Sequence, residues 1–141
     1  MLLHFFMAAN PSVLLKINHL SLTSCRKDIL SALLDVTGTI SYRDLTALLG
    51  NRYNRATVYR TLKVLEKKGI IRKITIDHRQ VLYEIQKSQR DLKMHAHFFC
   101  RKCGNLICLE EPVEIPVQIP ENFSTEDAEI VVKGLCVSCK E

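Results

Sequence analysis

Two matched cysteine pairs near the C-terminus, Cys100-x-x-Cys103 and Cys136-x-x-Cys139, constrain this chain more than any other feature. Each pair is a thiolate clamp, and the two together supply the four soft ligands that a tetrahedral structural zinc requires. Gly104 follows the first pair and Gly134 precedes the second, which suits tight turns around a metal. The 32 residues between the pairs exceed the gap of a minimal zinc ribbon, so the clamps are expected on separate hairpins or loops pinned together by one zinc per chain. Two disulfides or a redox CxxC are the alternatives. A secretory signal is not expected, whereas a reducing cytoplasm and metal binding are. Cys25 is left over and reads as a small buried residue.

The 141 residues suit one or two small domains, and 47% hydrophobic content is enough for a core. No apolar run reaches the roughly 18 residues a membrane helix needs. Met1 to Ala9 reads as a frayed extension or part of a first helix. The net charge of +5 hides an asymmetry: residues 1–90 carry 15 Lys and Arg against 6 Asp and Glu, whereas residues 91–141 carry 5 against 9. A basic front half and an acidic back half suggest modules with different partners, the first plausibly nucleic acid.

The periodicity supports this division. Helices are expected over Val13–His19 and Arg26–Val36, the latter with Ile29, Leu30, Leu33 and Leu34 on one side. Ser41-x-x-Asp44 reads as a capping box opening a short helix that Gly50 ends. Asn54 can cap a further helix, the third after the weak first one, over 55–68, closed by Gly69. The pattern then turns β-branched, and Ile70–Ile76 and Val81–Ile85 flank Asp77-His78-Arg79-Gln80 as a hairpin. Helices followed by a hairpin are the parts of a winged helix-turn-helix. Strands are further expected at His97–Cys100, Leu106–Leu109 and Ala128–Lys133, and prolines 112, 116 and 120 exclude a regular helix between them. The expected fold is α+β: a winged helix-turn-helix over 1–86, a hinge over 87–94, and a small α/β zinc-stabilised domain over 95–141.

On a helical wheel Val58, Leu62 and Leu65 share one face of the 55–68 helix, with Arg60, Lys63 and Lys67 roughly opposite. Its first turns offer Arg55, Thr57, Tyr59 and Arg60 to base edges or phosphates, and Arg79 in the wing would add a phosphate contact. The competing reading is a solvated basic face.

The segment Arg55-Ala-Thr-Val-Tyr-Arg-Thr-Leu62, followed by Gly69-Ile-Ile, resembles the recognition helix of the ferric uptake regulator (Fur) family. His95-Ala-His97-Phe-Phe-Cys100-Arg-Lys-Cys103-Gly104 resembles its metal-binding signature, and Gly134-Leu-Cys136-Val-Ser-Cys139 its terminal clamp. Thr23-Ser-Cys-Arg26 resembles the start of its N-terminal helix. The resemblance spans about residues 13–141. It implies a homodimeric transcriptional regulator, generally a repressor, that binds a double-stranded palindromic operator under metal control. It implies no enzyme activity and no small organic substrate. It also implies Tyr59 and Arg60 as principal DNA contacts and Arg26 near the DNA face.

By the same resemblance, a second, regulatory divalent metal (zinc, iron or manganese) would use Glu84, His95 and His97. Cys108 stands where the family has a carboxylate, and a thiolate there favours zinc. As i and i+2 on a strand, His95 and His97 should share a face. Other positions depart from the family: Thr39 and Leu135 stand where histidines are usual, Ala96 where an acidic residue is common, and the proline-marked segment 112–120 replaces much of a helix. The alternative is therefore a metal-independent winged-helix regulator whose zinc is only structural.

Overall fold

The computed structural model describes residues 10–86, 95–114, 117–125 and 128–140. The expected hinge at 87–94, the extension Met1 to Ala9, and Pro116 lie outside the described residues. The chain divides into two compact units, Met1–Gln86 and Lys87–Glu141.

The first unit opens with α1 (Pro11–Ile17). It starts two residues earlier than periodicity suggests because Asn10 accepts the Ser12 and Val13 amides at 2.9 and 3.4 Å, with Pro11 in the first turn. It also ends earlier: His19 takes φ 56, and its amide returns to the Lys16 carbonyl at 3.0 Å. The next helix, α2 (Ser24–Asp35), begins at Ser24 rather than Arg26 because Thr23 caps it, accepting the Arg26 amide at 3.4 Å. Ser41 caps α3 (Tyr42–Leu49) as expected. Its Oγ accepts the Asp44 amide at 3.1 Å and donates to the Asp44 carboxylate at 2.7 Å. Gly50 closes α3 with φ 61 and ψ −150, a combination essentially confined to glycine. A single 3-10 turn, Gly50–Arg52, leads to α4 (Arg55–Lys67), whose cap is Asn54 Oδ1 on the Thr57 amide at 2.8 Å.

The wing has three strands, one more than the expected hairpin. Strands β2 (Ile71–Thr75) and β3 (Val81–Ile85) pair antiparallel, and β1 (Ile40–Ser41) adds to the other side of β3 through Ile40–Tyr83 and Ser41–Leu82. Leu15, Ile29, Leu30, Leu45, Leu62, Leu65 and Ile71 meet in one core, each 1% exposed or less. This packing fixes α4 with Val58, Leu62 and Leu65 inward. Cys25 belongs to the same core, as expected.

In the second unit β4 (His95–Cys100) lies between β5 (Leu106–Pro112), antiparallel to it, and β6 (Ile130–Gly134), parallel to it. The last strand begins two residues later than expected and runs on to Gly134. A one-turn helix α5 (Val137–Lys140) follows. Among the described residues of 113–129 there is neither helix nor strand. No described helix is long and apolar enough to cross a membrane.

Candidate metal centre and nucleic-acid interface

The four clamp cysteines converge. The first pair brackets the β4–β5 turn: the Cys100 amide bonds the Asn105 carbonyl at 2.9 Å, and the Gly104 amide returns to the Cys100 carbonyl at 2.9 Å. Gly104, at φ 73, supplies the left-handed residue this turn needs. The second pair sits only partly on a loop. It spans the start of α5, where the Cys139 and Lys140 amides both bond the Cys136 carbonyl at 2.9 Å. Gly134 has a different use from the one its position suggests. It ends β6, where an added Cβ would lie 3.0 Å from the Phe98 ring, so it is a packing glycine rather than a turn glycine. The Arg101 amide bonds its carbonyl at 2.8 Å, tying the two clamps together through backbone.

The sulfur positions fit a tetrahedral ion. All four ligand atoms lie within 4.8 Å of one another, and Cys103 Sγ is 3.8 Å from Cys136 Sγ. Four sulfurs at about 2.3 Å from a zinc are separated by about 3.8 Å along each tetrahedral edge. All six cysteines are free thiols, so the two-disulfide alternative is absent. Cys100, fully buried, accepts the Cys136 amide at 3.4 Å. Amide donation from Cys103 and Cys136 holds its thiol down to about 6. Cys139 is pushed up to about 12, first by its hydrogen bond to Cys136 and then by burial. The cluster thus resists ionising all its thiols together until a divalent cation neutralises them, and the four-sulfur set fits a structural zinc.

Of the expected regulatory ligands, Glu84 lies on β3 of the first unit, and His95, His97 and Cys108 lie on β4 and β5 of the second. His97, 3% exposed, is the direct cross-strand partner of exposed Cys108. Directly opposed residues project to one face of a sheet, so a histidine nitrogen and a sulfur are neighbours there. His95 pairs with Pro112, and the ladder shifts register between His95 and His97. The strict backbone alternation expected between these two positions is therefore interrupted. Glu84 lies on β3 opposite Arg72, its carboxylate 3.6 Å from the guanidinium. Among the described residues, no group of three or more ligand-bearing side chains other than the four cysteines comes together.

On α4 the expected basic face is exposed. Arg55, Tyr59, Arg60, Lys63 and Lys67 face solvent, Thr57 is half-buried, and the Lys63 ammonium sits 5.0 Å from the centre of the Tyr59 ring. Arg79 is exposed in the wing turn, where Asp77 accepts its amide at 2.9 Å. Arg26 folds back instead, its Nη1 donating to the Ser21 carbonyl and hydroxyl. Sequence reasoning missed a node outside these sets. Asp28 accepts from Arg52 Nη1 at 2.8 Å and from the Tyr53 hydroxyl at 2.6 Å, tying α2 to the turn before α4. The contacts span 24 and 25 residues and leave no local pattern.

A sequence model of the ferric uptake regulator family matches residues 18–133, which include the wing, α4 and the first clamp. The chain belongs to the ferric uptake regulator family. It is 30% identical over 88 residues to the ferric uptake regulation protein of Bacillus subtilis, a match covering 60% of this chain and 58% of that one. It is 27% identical over 88 residues to the Campylobacter upsaliensis protein of the same name, covering 60% and 54%. The chain therefore spans a little over half the length of the curated relatives it matches. Its fold superposes on a zinc uptake regulator complexed with zinc and DNA at a TM-score of 0.69, with 20% identity over 95% of this chain and 93% of that one. It also superposes on the Francisella tularensis ferric uptake regulator with iron at 0.63, with 24% identity over 86% and 95%. Those likenesses establish the shared fold: a winged helix-turn-helix followed by a small α/β unit.

Proposed function

We propose that the protein is a metal-responsive DNA-binding regulator of the Fur type, a repressor whose operator affinity rises when a second divalent metal binds. The observation that carries this reading is α4: Val58, Leu62 and Leu65 anchor one side, while Tyr59, Arg60, Lys63 and Lys67 face outward behind an Asn54 cap. A helix held this way can enter a major groove and read bases through its first turns. Residues 1–86 bind the DNA, 87–94 serve as hinge, and 95–141 dimerise around the zinc. Homodimerisation is supported by an apolar face on the second sheet, where Ile107, Leu109 and Val132 are 48%, 40% and 46% exposed. Free thiols and the proposed DNA target support a cytoplasmic protein.

Glu84, His95, His97 and Cys108 are the proposed regulatory ligands. The His97–Cys108 pairing supports this assignment, and a nitrogen–sulfur set suits zinc. A metal-independent regulator is the second reading, favoured by the Arg72–Glu84 ion pair, which already occupies the one proposed carboxylate.

Selection from a random duplex library tests the proposal. The wild type enriches an inverted repeat. Tyr59→Ala and Arg60→Ala each weaken discrimination by about 1–3 kcal/mol per lost base contact, and Glu84→Gln or Cys108→Ser removes the metal dependence. No enrichment with any added metal would refute DNA reading. Equal enrichment with and without added metal would favour the second reading, and unchanged metal dependence in both ligand variants would refute the ligand assignment.

A further inference from the structure

A hollow of about 320 Å³ opens between α3, the 3-10 turn and the first turn of α4. Arg43 of α3 and Arg55 of α4 line it, with Thr46 and Asn51 between them and no carboxylate among the lining residues. Arg43 belongs to none of the DNA contacts considered above.

Several arginines of this unit are committed elsewhere: Arg52 to Asp28, Arg72 to Glu84 and Arg26 to Ser21. Arg43 and Arg55 are exposed, and among the described residues neither forms an ion pair. The remaining polar side chain of the wall, Tyr53, is not a competing ligand, because its hydroxyl already donates to Asp28 at 2.6 Å. That bond, and then burial, raise its pKa, so it stays a neutral wall. The Asp28 charge is in turn balanced by Arg52. Two further constraints hold the arginine-bearing elements in place. The Tyr42 hydroxyl, at the start of α3, reaches the Arg55 carbonyl at 3.5 Å, and the chain between the helices turns at Gly50 in a glycine-only conformation.

We propose that this hollow is a phosphate-binding pocket, with Arg43 and Arg55 as its two cationic walls and the operator backbone as the source of the phosphate. Guanidinium groups present planar forks that match phosphate oxygens. Uncommitted arginines on two helices of fixed spacing lose little in engaging one anion between them. A phosphate seated beside the first turn of α4 would set the register of Tyr59 and Arg60 on the duplex without itself reading sequence. The backbone source rests on the DNA-binding reading above. Inorganic phosphate shares the chemistry and is the other possible source.

Arg43→Gln, an exposed substitution, tests this in the full zinc-loaded chain. The expected result is a fall of about 1 in the slope of log affinity against log salt. Operator and non-operator DNA should weaken by the same factor, and Arg43→Lys should restore the slope. In parallel, amide spectra of the wild type and Arg43→Gln are recorded with inorganic phosphate at fixed ionic strength. Shifts at Gly50 and Asn51 that vanish in Arg43→Gln, with an unchanged DNA slope, would support the pocket with free phosphate as its ligand. If the wild type bound no DNA yet showed these shifts, the pocket would stand and the DNA-binding reading would fail. An unchanged slope together with no phosphate-dependent shift would overturn the proposal.

Discussion

Loss of the zinc should unfold the second unit and leave the first standing. The substitution Cys100→Ser, followed by chelation, removes the buried thiol that accepts the Cys136 amide at 3.4 Å and breaks the four-sulfur set. The magnitude follows from how little else holds that unit. Among its described residues the buried side chains are Ala96, His97, Phe99 and Cys100. Burying a phenylalanine contributes about 3 kcal/mol at most. A structural zinc contributes about 10–16 kcal/mol in small domains that fold around it, comparable to the whole stability of about 5–15 kcal/mol of a typical protein. Within one chain, the described buried side chains of β4, β5 and β6 do not replace that contribution. The first unit has its own core, from Leu15 to Tyr83. Hydrogen exchange read by peptide mass is the assay. Amides of β4 and β6 should lose protection in the metal-free variant, while those of α2 and α4 keep theirs. Persistent protection of β4 and β6 without zinc would refute the reasoning.

Two further perturbations probe the geometry around α4. Gly50→Ala forces a Cβ onto a glycine-only conformation and should cost about 1–3 kcal/mol, visible as a lower melting temperature of the first unit. The cost is backbone strain alone, since nothing lies within 4 Å of the added atom. The pKa of Tyr53 is raised above 10.0 in the folded state, so its contribution is fully present below that pH and is lost as pH rises through the raised value. Tyr53→Phe should flatten the alkaline limb of the stability profile.

What the sequence revealed, and what it hid, follows from how local each signal is. The caps Ser41 and Asn54 and the apolar spacing of Val58, Leu62 and Leu65 lie within a few residues of what they determine, and each appears where expected. The earlier start of α1 was also legible in Asn10-Pro11, a local cap overlooked by apolar periodicity. By contrast, two-residue β1 has no pattern of its own and exists because Tyr83 and Leu82 are beside it in space. The Asp28 node is non-local for the same reason. Gly134 was misread because a glycine before a clamp looks the same whether it turns the chain or makes room for Phe98. The four-cysteine cluster could be read because thiolate pairs at this spacing have few other uses. The register shift between His95 and His97, by contrast, leaves no trace in the sequence.

The most direct measurement of the central claim is operator binding by anisotropy, using protein that keeps its four-cysteine zinc but has been stripped of weaker metal. Zinc, iron(II) and manganese(II) are then titrated separately. A steep gain in affinity with one of them, abolished in Glu84→Gln, is the predicted result. Equal binding across all three titrations and the stripped protein would contradict metal control and leave a regulator whose zinc serves the fold alone.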